Sequence, residues 1–503
     1  MSVRHNIVAN YLGNAWGALA QIAFVPLYIG YLGIEAYGLI GIYASMQVLL
    51  SLLDVGLTPT LTREMARFKA STLQVDAARA LLRTVEIVCI CVALMIFVVV
   101  FAGAHWLAAN WLKAEVLPVE TIVTSIKLMG VLVAMRWFSG LYRGVIMGLQ
   151  HFIWLNKMTA TFATVRGAGV LLALAWISPS IVIFFLYQIC ISLIELLVLF
   201  RKSWHYLPSL EKANFSQKSL SSVWRFSASL SMIFLLVLLL TQADKILLSK
   251  MVPLTEFGYY ALASSLASSL SMLITPISGV AYPRLTELVE RGDVSAIASA
   301  YHRFSQLLTM IMVPGALVLI LFSDRILMLW IGDIVTVGAT AHLVSLLAVG
   351  VMLNGLMNIP NCLQLAYGNT TLLVALYSAL VFAFIPTIYF GVSAYGAVAA
   401  AYAVIAVNVC CIALAVPLMH RKLLPMEQWR WYCQDVTLPA LAAFAAAYIV
   451  YHLAPSPLIL GGWMNAFVVA LAAFFTFSAS ALASPLGREI VVMGWLRFSL
   501  SKT

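Results

Sequence analysis

Four basic side chains stand in stretches too apolar to hold them without a reason. Lys127, Arg136 and Arg143 fall within residues 121–148, and Arg166 falls within 156–178. A charge at the centre of a bilayer-spanning helix costs about 2.5–3.5 kcal/mol, so by default it faces a cavity or a partner. Arg136 and Arg143 are seven residues apart, which sets them on nearly one helix face, and Ser139 and Gly140 share it. Small residues there leave room for a bulky ligand. A guanidinium fork matches two phosphate oxygens at once. The chemistry on offer is therefore recognition of an anion, above all a phosphate. Arg136 and Arg166 lie near the middle of their stretches, where cavity lining is the preferred reading. The alternatives are pairing with Asp54, Glu86 or Glu195, or snorkelling, which suits Arg143 and Lys127 nearer the ends.

Other chemistry has little support. No GxxxxGK[ST] loop, HExxH pair or metal spacing of histidines occurs, so no nucleotide, metal or cofactor site is expected. The seven cysteines form no CxxC and read as small apolar residues. Asp54 and Asp244 are candidates for ion coupling. For Asp244 the plainer account is an interfacial pair with its neighbour Lys245.

The elements that position these residues follow from composition. The chain has 503 residues, 63% hydrophobic and 10% charged, against about 25% charged in soluble domains. The bilayer must be its main solvent. Stretches of about 20 apolar residues predict an all-α, polytopic membrane protein of fourteen helices, at 7–30, 34–61, 81–105, 121–148, 156–178, 180–200, 222–248, 254–283, 302–324, 336–365, 368–392, 393–418, 433–453 and 461–484. The formal net charge of +10 reflects the excess of Lys and Arg in cytoplasmic loops and does not point to nucleic acid. With the N-terminus inside, Arg63, Arg67, Lys69, Arg79, Arg83, Arg201, Lys202, Arg284, Arg421 and Arg488 fall on the cytoplasmic side, and only Lys113, Lys245, Lys250 and Arg325 outside. Both termini are then cytoplasmic.

The halves repeat. At an offset of 220 residues, Tyr37 matches Phe257, Gly38 matches Gly258, Ser45 matches Ser265 and Thr58 matches Ser278. Gly148-Leu-Gln-His151 is similarly echoed by Ala366-Tyr-Gly-Asn369. This predicts two pseudo-symmetric six-helix lobes, 1–201 and 222–420, forming a central cavity. Residues 202–221 form a cytoplasmic loop between them, and 421–503 add a linker, helices 13 and 14 and a cytoplasmic tail. Pro26 and Pro276 are expected to bend helices that gate the cavity.

The order of short motifs then becomes informative. Asn10-Tyr-Leu-Gly13, Pro26-Leu-Tyr28, Leu32-Gly-Ile-Glu-Ala-Tyr-Gly38 and Leu53-Asp-Val-Gly56, with Gln242-Ala-Asp-Lys-Ile246 and Glu256-Phe-Gly-Tyr-Tyr260, resemble the polysaccharide-transporter branch of the multidrug/oligosaccharidyl-lipid/polysaccharide exporter superfamily. The resemblance spans roughly residues 5–420. It implies a flippase for undecaprenyl-diphosphate-linked glycan in the bacterial inner membrane, working by alternating access, with membrane lipids, a glycan polymerase and chain-length proteins as partners. It also implies that helices 13 and 14 help form a lipid-facing groove. No family motif fixes the binding residues; Arg136, Arg166, Arg143 and Lys127 come from their depth alone. A small-molecule antiporter of the same superfamily would want a compact acidic site. A membrane glycosyltransferase or ligase would want a long outer loop, and the longest here is about residues 104–120.

Overall fold

In lipid a backbone must satisfy its own hydrogen bonds, and long apolar runs leave the helix as the local solution. The computed structural model describes residues 16, 22–51, 57–70, 74–208, 235–368, 371–457 and 461–490, and among them no strand forms. Its helices are α1 (Val25–Leu32), α2 (Ile34–Ser51), α3 (Leu57–Lys69), α4 (Val75–Trp106), α5 (Val119–Gly148), α6 (Phe152–Trp176), α7 (Ile181–His205), α8 (235–251), α9 (Leu254–Ser268) and α10 (Ile274–Arg291). After them come α11 (Val294–Leu321), α12 (Ser323–Trp330), α13 (Ile334–Leu356), α14 (Asn358–Ala366), α15 (Thr371–Tyr395), α16 (Ala397–Leu423), α17 (Gln428–Leu453) and α18 (Gly462–Ala483).

Eleven spans among the described residues are long and apolar enough to cross a membrane. They coincide with expected helices three to six and eight to fourteen. The other three expected helices lie partly outside the described residues, so the count of fourteen rests on sequence there. Leu94, Val98 and Val99 of α4 are more than half exposed, an arrangement that suits lipid and would be a liability in water. Cys91, Cys190, Cys410 and Cys433 share such exposed surfaces, while Cys89, Cys362 and Cys411 are buried.

Contacts divide the chain into two units, Met1–Ala261 and Leu262–Thr503. In the first, α5 is the central post, packed by α2, α3, α4 and α7 around Leu82, Val85, Leu141, Tyr142, Val145 and Leu199. Gly148 allows α3 to come close: a Cβ there would stand 2.4 Å from the Thr62 carbonyl oxygen. In the second, α11 is central and carries α10, α13, α17 and α18.

The repeat motifs have visible work. Glu35, 6% exposed, accepts hydrogen bonds from the backbone N–H groups of Glu115, Val116 and Leu117 at 2.6, 2.9 and 3.0 Å. It thereby ties the loop after α4 to the start of α2. Asp244 accepts from the Tyr260 hydroxyl at 2.6 Å, which joins two of the motifs to each other. The repeat-equivalent glycines meet: a Cβ on Gly38 would lie 2.8 Å from the Leu254 carbonyl oxygen, and one on Gly258 would lie 2.4 Å from that of Ile34. A Cβ on Gly41 would likewise stand 2.6 Å from the Ala261 Cβ. Since 34, 38 and 41 match 254, 258 and 261 at the same offset of 220, α2 and the start of α9 touch through equivalent residues. Small residues at such a crossing let two backbones approach where lipid offers no hydrophobic drive.

Pro26 and Pro276 each stand in the first turn of a helix, α1 and α10. Each follows a break in a helical run, a turn at Phe24 and the 3-10 segment Ser269–Leu273, so both stand at interruptions as expected; a missing N–H costs nothing just after such a break. A similar interruption lies at Met357, between α13 and α14, with Pro360 just beyond.

Candidate functional site

The first unit gathers its deep charges on one carboxylate. Glu195, midway along α7 and 6% exposed at its side chain, receives Arg143 from α5 on Oε1 and Arg166 from α6 on Oε2, the latter at 2.5 Å. Arg143 Nη1 also reaches Thr159 Oγ1 at 3.4 Å. Arg136, two turns before Arg143, donates to Gln47 Oε1 of α2 at 3.5 Å and lies 5.8 Å from the centroid of the Tyr43 ring. Two guanidinium groups thus share one carboxylate and a third lies nearby, which leaves the set strongly cationic. The Nε atoms of Arg136 and Arg166 are buried without a partner, and the Arg143 side chain is 35% exposed. Beside them, nothing lies within 4 Å of where a Cβ on Gly140 would stand. Ser139, expected on that open face, is instead buried and donates back to the Met135 carbonyl.

The other residues singled out in the sequence lie apart. Lys127 precedes Arg136 by nine residues on the same helix, which turns it roughly 180° away. Its ammonium lies 4.5 Å from the Phe101 ring centroid, so the structure does not bring it to the arginine set. Glu86, a candidate partner for the arginines, is taken by Tyr142, Trp204 and Arg83 at 2.8, 2.8 and 3.1 Å. Asp54 falls outside the described residues. Asp244 is 3% exposed; beyond its Tyr260 bond it has Lys245 at 3.7 Å and leaves Oδ1 unpartnered. Sequence reasoning missed Gln47 and Tyr43, whose polar atoms on an apolar helix were the available signal.

The second unit holds a buried polar cluster that sequence reasoning also missed. His302 on α11 places Nδ1 against Asp435 of α17 and Nε2 3.0 Å from Glu427. Gln306 donates to the other Asp435 oxygen at 2.8 Å and accepts from the Leu486 N–H at 2.9 Å. Asp435 is fully buried. These bonds fasten α17 and the segment after α18 to α11. Further along, α17 and α18 enclose an apolar groove of about 420 Å³ lined by Ile449, Leu453, Val468, Leu471 and Phe475. Among the described residues no three His, Cys, Asp or Glu side chains converge as metal ligands.

Comparison with known proteins places this arrangement. Residues 3–289 match the model of a family described as polysaccharide biosynthesis protein. A Shigella flexneri protein named "Putative O-antigen transporter" is 20% identical over 404 residues, covering 80% of this chain and 94% of that protein. The lipid II flippase MurJ, in an inward closed conformation, superposes with a TM-score of 0.72 at 12% identity, over 97% of this chain and 99% of MurJ. An inward-facing multidrug resistance MATE transporter of the MOP superfamily gives 0.63 at 12% identity, over 80% of this chain and 95% of that one. The Vibrio cholerae MATE transporter VcmN gives 0.58 at 15% identity, over 83% and 96%. At these identities the structural likenesses speak to the fold.

Proposed function

The chain belongs to the polysaccharide biosynthesis protein family, in the polysaccharide-transporter branch of the multidrug/oligosaccharidyl-lipid/polysaccharide exporter superfamily, and from that membership we propose that it is a flippase. Its cargo is an undecaprenyl-diphosphate-linked oligosaccharide, moved across the bacterial inner membrane for O-antigen, exopolysaccharide or capsule synthesis. The chain carries cargo and performs no covalent step.

The gathering of Arg136, Arg143 and Arg166 around Glu195 supports this reading best. Forks that already hold a carboxylate are oriented for two-oxygen acceptors, and a diphosphate offers more oxygens and more charge than Glu195 does. On binding, the phosphates take over the forks and Glu195 is released. The set is low in positive-charge compensation before cargo arrives and neutralised after, which favours a cargo whose anionic part is compact. The prenyl tail stays in lipid, for which the apolar groove of α17 and α18 is suited. Two six-helix lobes, 1–201 and 222–420, rock to expose the cargo first inside and then outside. The termini are cytoplasmic, Asp244 with its idle oxygen and Asp54 are the places to seek a coupling ion, and a glycan polymerase and chain-length proteins act downstream.

The test is surface glycan, normalised to protein in the membrane fraction. Arg136→Ala and Arg166→Ala should cut export with protein retained. Arg166→Lys should rescue only in part, because lysine keeps the charge and loses the planar fork. Removing Glu195 as well separates cargo binding from internal pairing. If Arg166 served only to neutralise Glu195, Arg166→Ala with Glu195→Gln would regain normal export, and that result would overturn the diphosphate role.

A further inference from the structure

A second kind of recognition is built into the helix interruption of the second unit. Asn354, Asn358 and Asn361 follow one another at spacings of four and three residues across the break at Met357, which sets them on one face. The break and Pro360 interrupt a helix in mid-membrane, and such segments occur where they line a water-filled cavity or a binding site. Depth is fixed by a bond: Asn354 Nδ2 donates at 3.2 Å to Asn408, near the middle of α16. Asn354 is nonetheless exposed. A carboxamide turned to hydrocarbon at that depth would be costly, so the face meets water at Asn354 and runs inward from there to the buried Gln364.

The bland account is that these amides are glue between helices. Each does make contacts: Asn358 accepts from Ser278 and from the Cys362 thiol, and Asn361 Nδ2 lies 3.4 Å from the Tyr377 hydroxyl. Here, beyond those contacts, there is a remainder on a face that opens to water at Asn354. Asn361 Oδ1 is buried without a partner, and Gln364, a turn further on and fully buried, has neither Nε2 nor Oε1 bonded. Buried amide atoms without partners cost about 1–3 kcal/mol each, and each such group asks for an explanation.

We propose that Asn354, Asn358, Asn361 and Gln364 form a binding site for the hydroxyl groups of a sugar. A carboxamide both donates and accepts, as a sugar hydroxyl does. Having no charge, these side chains offer a phosphate far less than an arginine would, so the ligand they suit is the neutral, hydroxyl-rich part of a glycan. The inference rests on the flippase reading and adds to it: the arginine set reads the diphosphate, and this amide face reads the sugar.

The experiment measures binding of two radiolabelled probes to the full-length protein in nanodiscs: undecaprenyl diphosphate, and the same lipid carrying one N-acetylglucosamine. The wild type should bind the sugar-bearing lipid more tightly. Asn361→Ala and Gln364→Met should each lower that preference about two- to tenfold, the range of a net hydrogen bond, and leave affinity for the sugar-free lipid unchanged. Gln364→Met guards against misfolding, since it keeps the volume and removes only idle polar atoms. Variants that keep the full preference, or that lose both lipids equally, would overturn the sugar site. Protein that binds neither lipid even as wild type would instead overturn the flippase reading beneath it.

Discussion

The arginine set around Glu195 and the cluster around His302 are made of the same ingredients and finished differently. Both bring charged or titratable groups from several helices into an apolar interior. Around His302 the titratable groups close on one another: the ring is bonded on both nitrogens, and Gln306 is bonded at both ends of its amide, while the idle atoms beside them belong to Tyr301, Ser305, His420 and Trp431. Those four side chains are all buried. Around Glu195 the cations outnumber the anion, two Nε atoms are idle, and space opens at Gly140. Neither burial nor an idle polar atom by itself therefore separates a fastening from a site; surplus charge beside open space does. A network whose charges close on one another holds helices together, and one with cations to spare is held ready by the fold for something that arrives later.

That contrast can be broken at either end. The largest expected effect on stability is at the closed cluster. Asp435→Ala removes a fully buried partner, and breaking such a pair typically costs about 3–5 kcal/mol. The melting temperature in detergent should fall sharply, and any surviving protein should keep the cargo preference of the wild type. Retained stability with altered cargo would mean the cluster is a site after all.

Next comes the contact of the repeat-equivalent helices. Gly258→Val drives a side chain into the Ile34 backbone, and overpacking of this kind costs about 1–3 kcal/mol or more. Gly30→Ala, in a helix with open space around it, is the matched control and should melt like the wild type. Equal melting of the two variants would show that α2 and α9 do not cross as described.

Glu195→Gln should disturb stability less than Asp435→Ala, because Arg143 is partly exposed and can be hydrated once released. Its effect should appear in binding. Inorganic pyrophosphate should protect the variant against thermal unfolding at a lower concentration than it protects the wild type, since no internal carboxylate competes for the forks. A variant needing more pyrophosphate would make Glu195 a constituent of the anion site rather than its occupant. The smallest effect is at Lys127, on the far side of α5. Lys127→Gln should leave normalised export within about twofold of wild type, the scale of a surface change.

Much of the fold was legible before any coordinates. Eleven spans fall where apolar length put them, because a bilayer imposes one hydrophobic period and one length on every helix. The offset of 220 residues was legible too, since Gly38 and Gly258 keep their place in the pattern. The candidate site was legible only as an inventory. Arg136, Arg143 and Arg166 announced themselves by cost, but three carboxylates competed as their partner, and no spacing rule chooses among residues on different helices. Ser139 and Gly140 share a stretch of sequence, yet one turns into its own helix and the other borders open space.

What the sequence determined by itself was the solvent, the class of fold, the repeat and the presence of cations that had to be accounted for. Those follow from composition and one-dimensional period, which act locally and need no knowledge of neighbours. Tertiary structure alone decided that Glu195, and neither Glu86 nor any distant acid, holds two of the arginines, that Lys127 faces away, and that His302 closes on side chains 125 and 133 residues further along. Those outcomes depend on which helices pack side by side and at what rotation, and a chain read residue by residue carries that information only in the sum of its contacts.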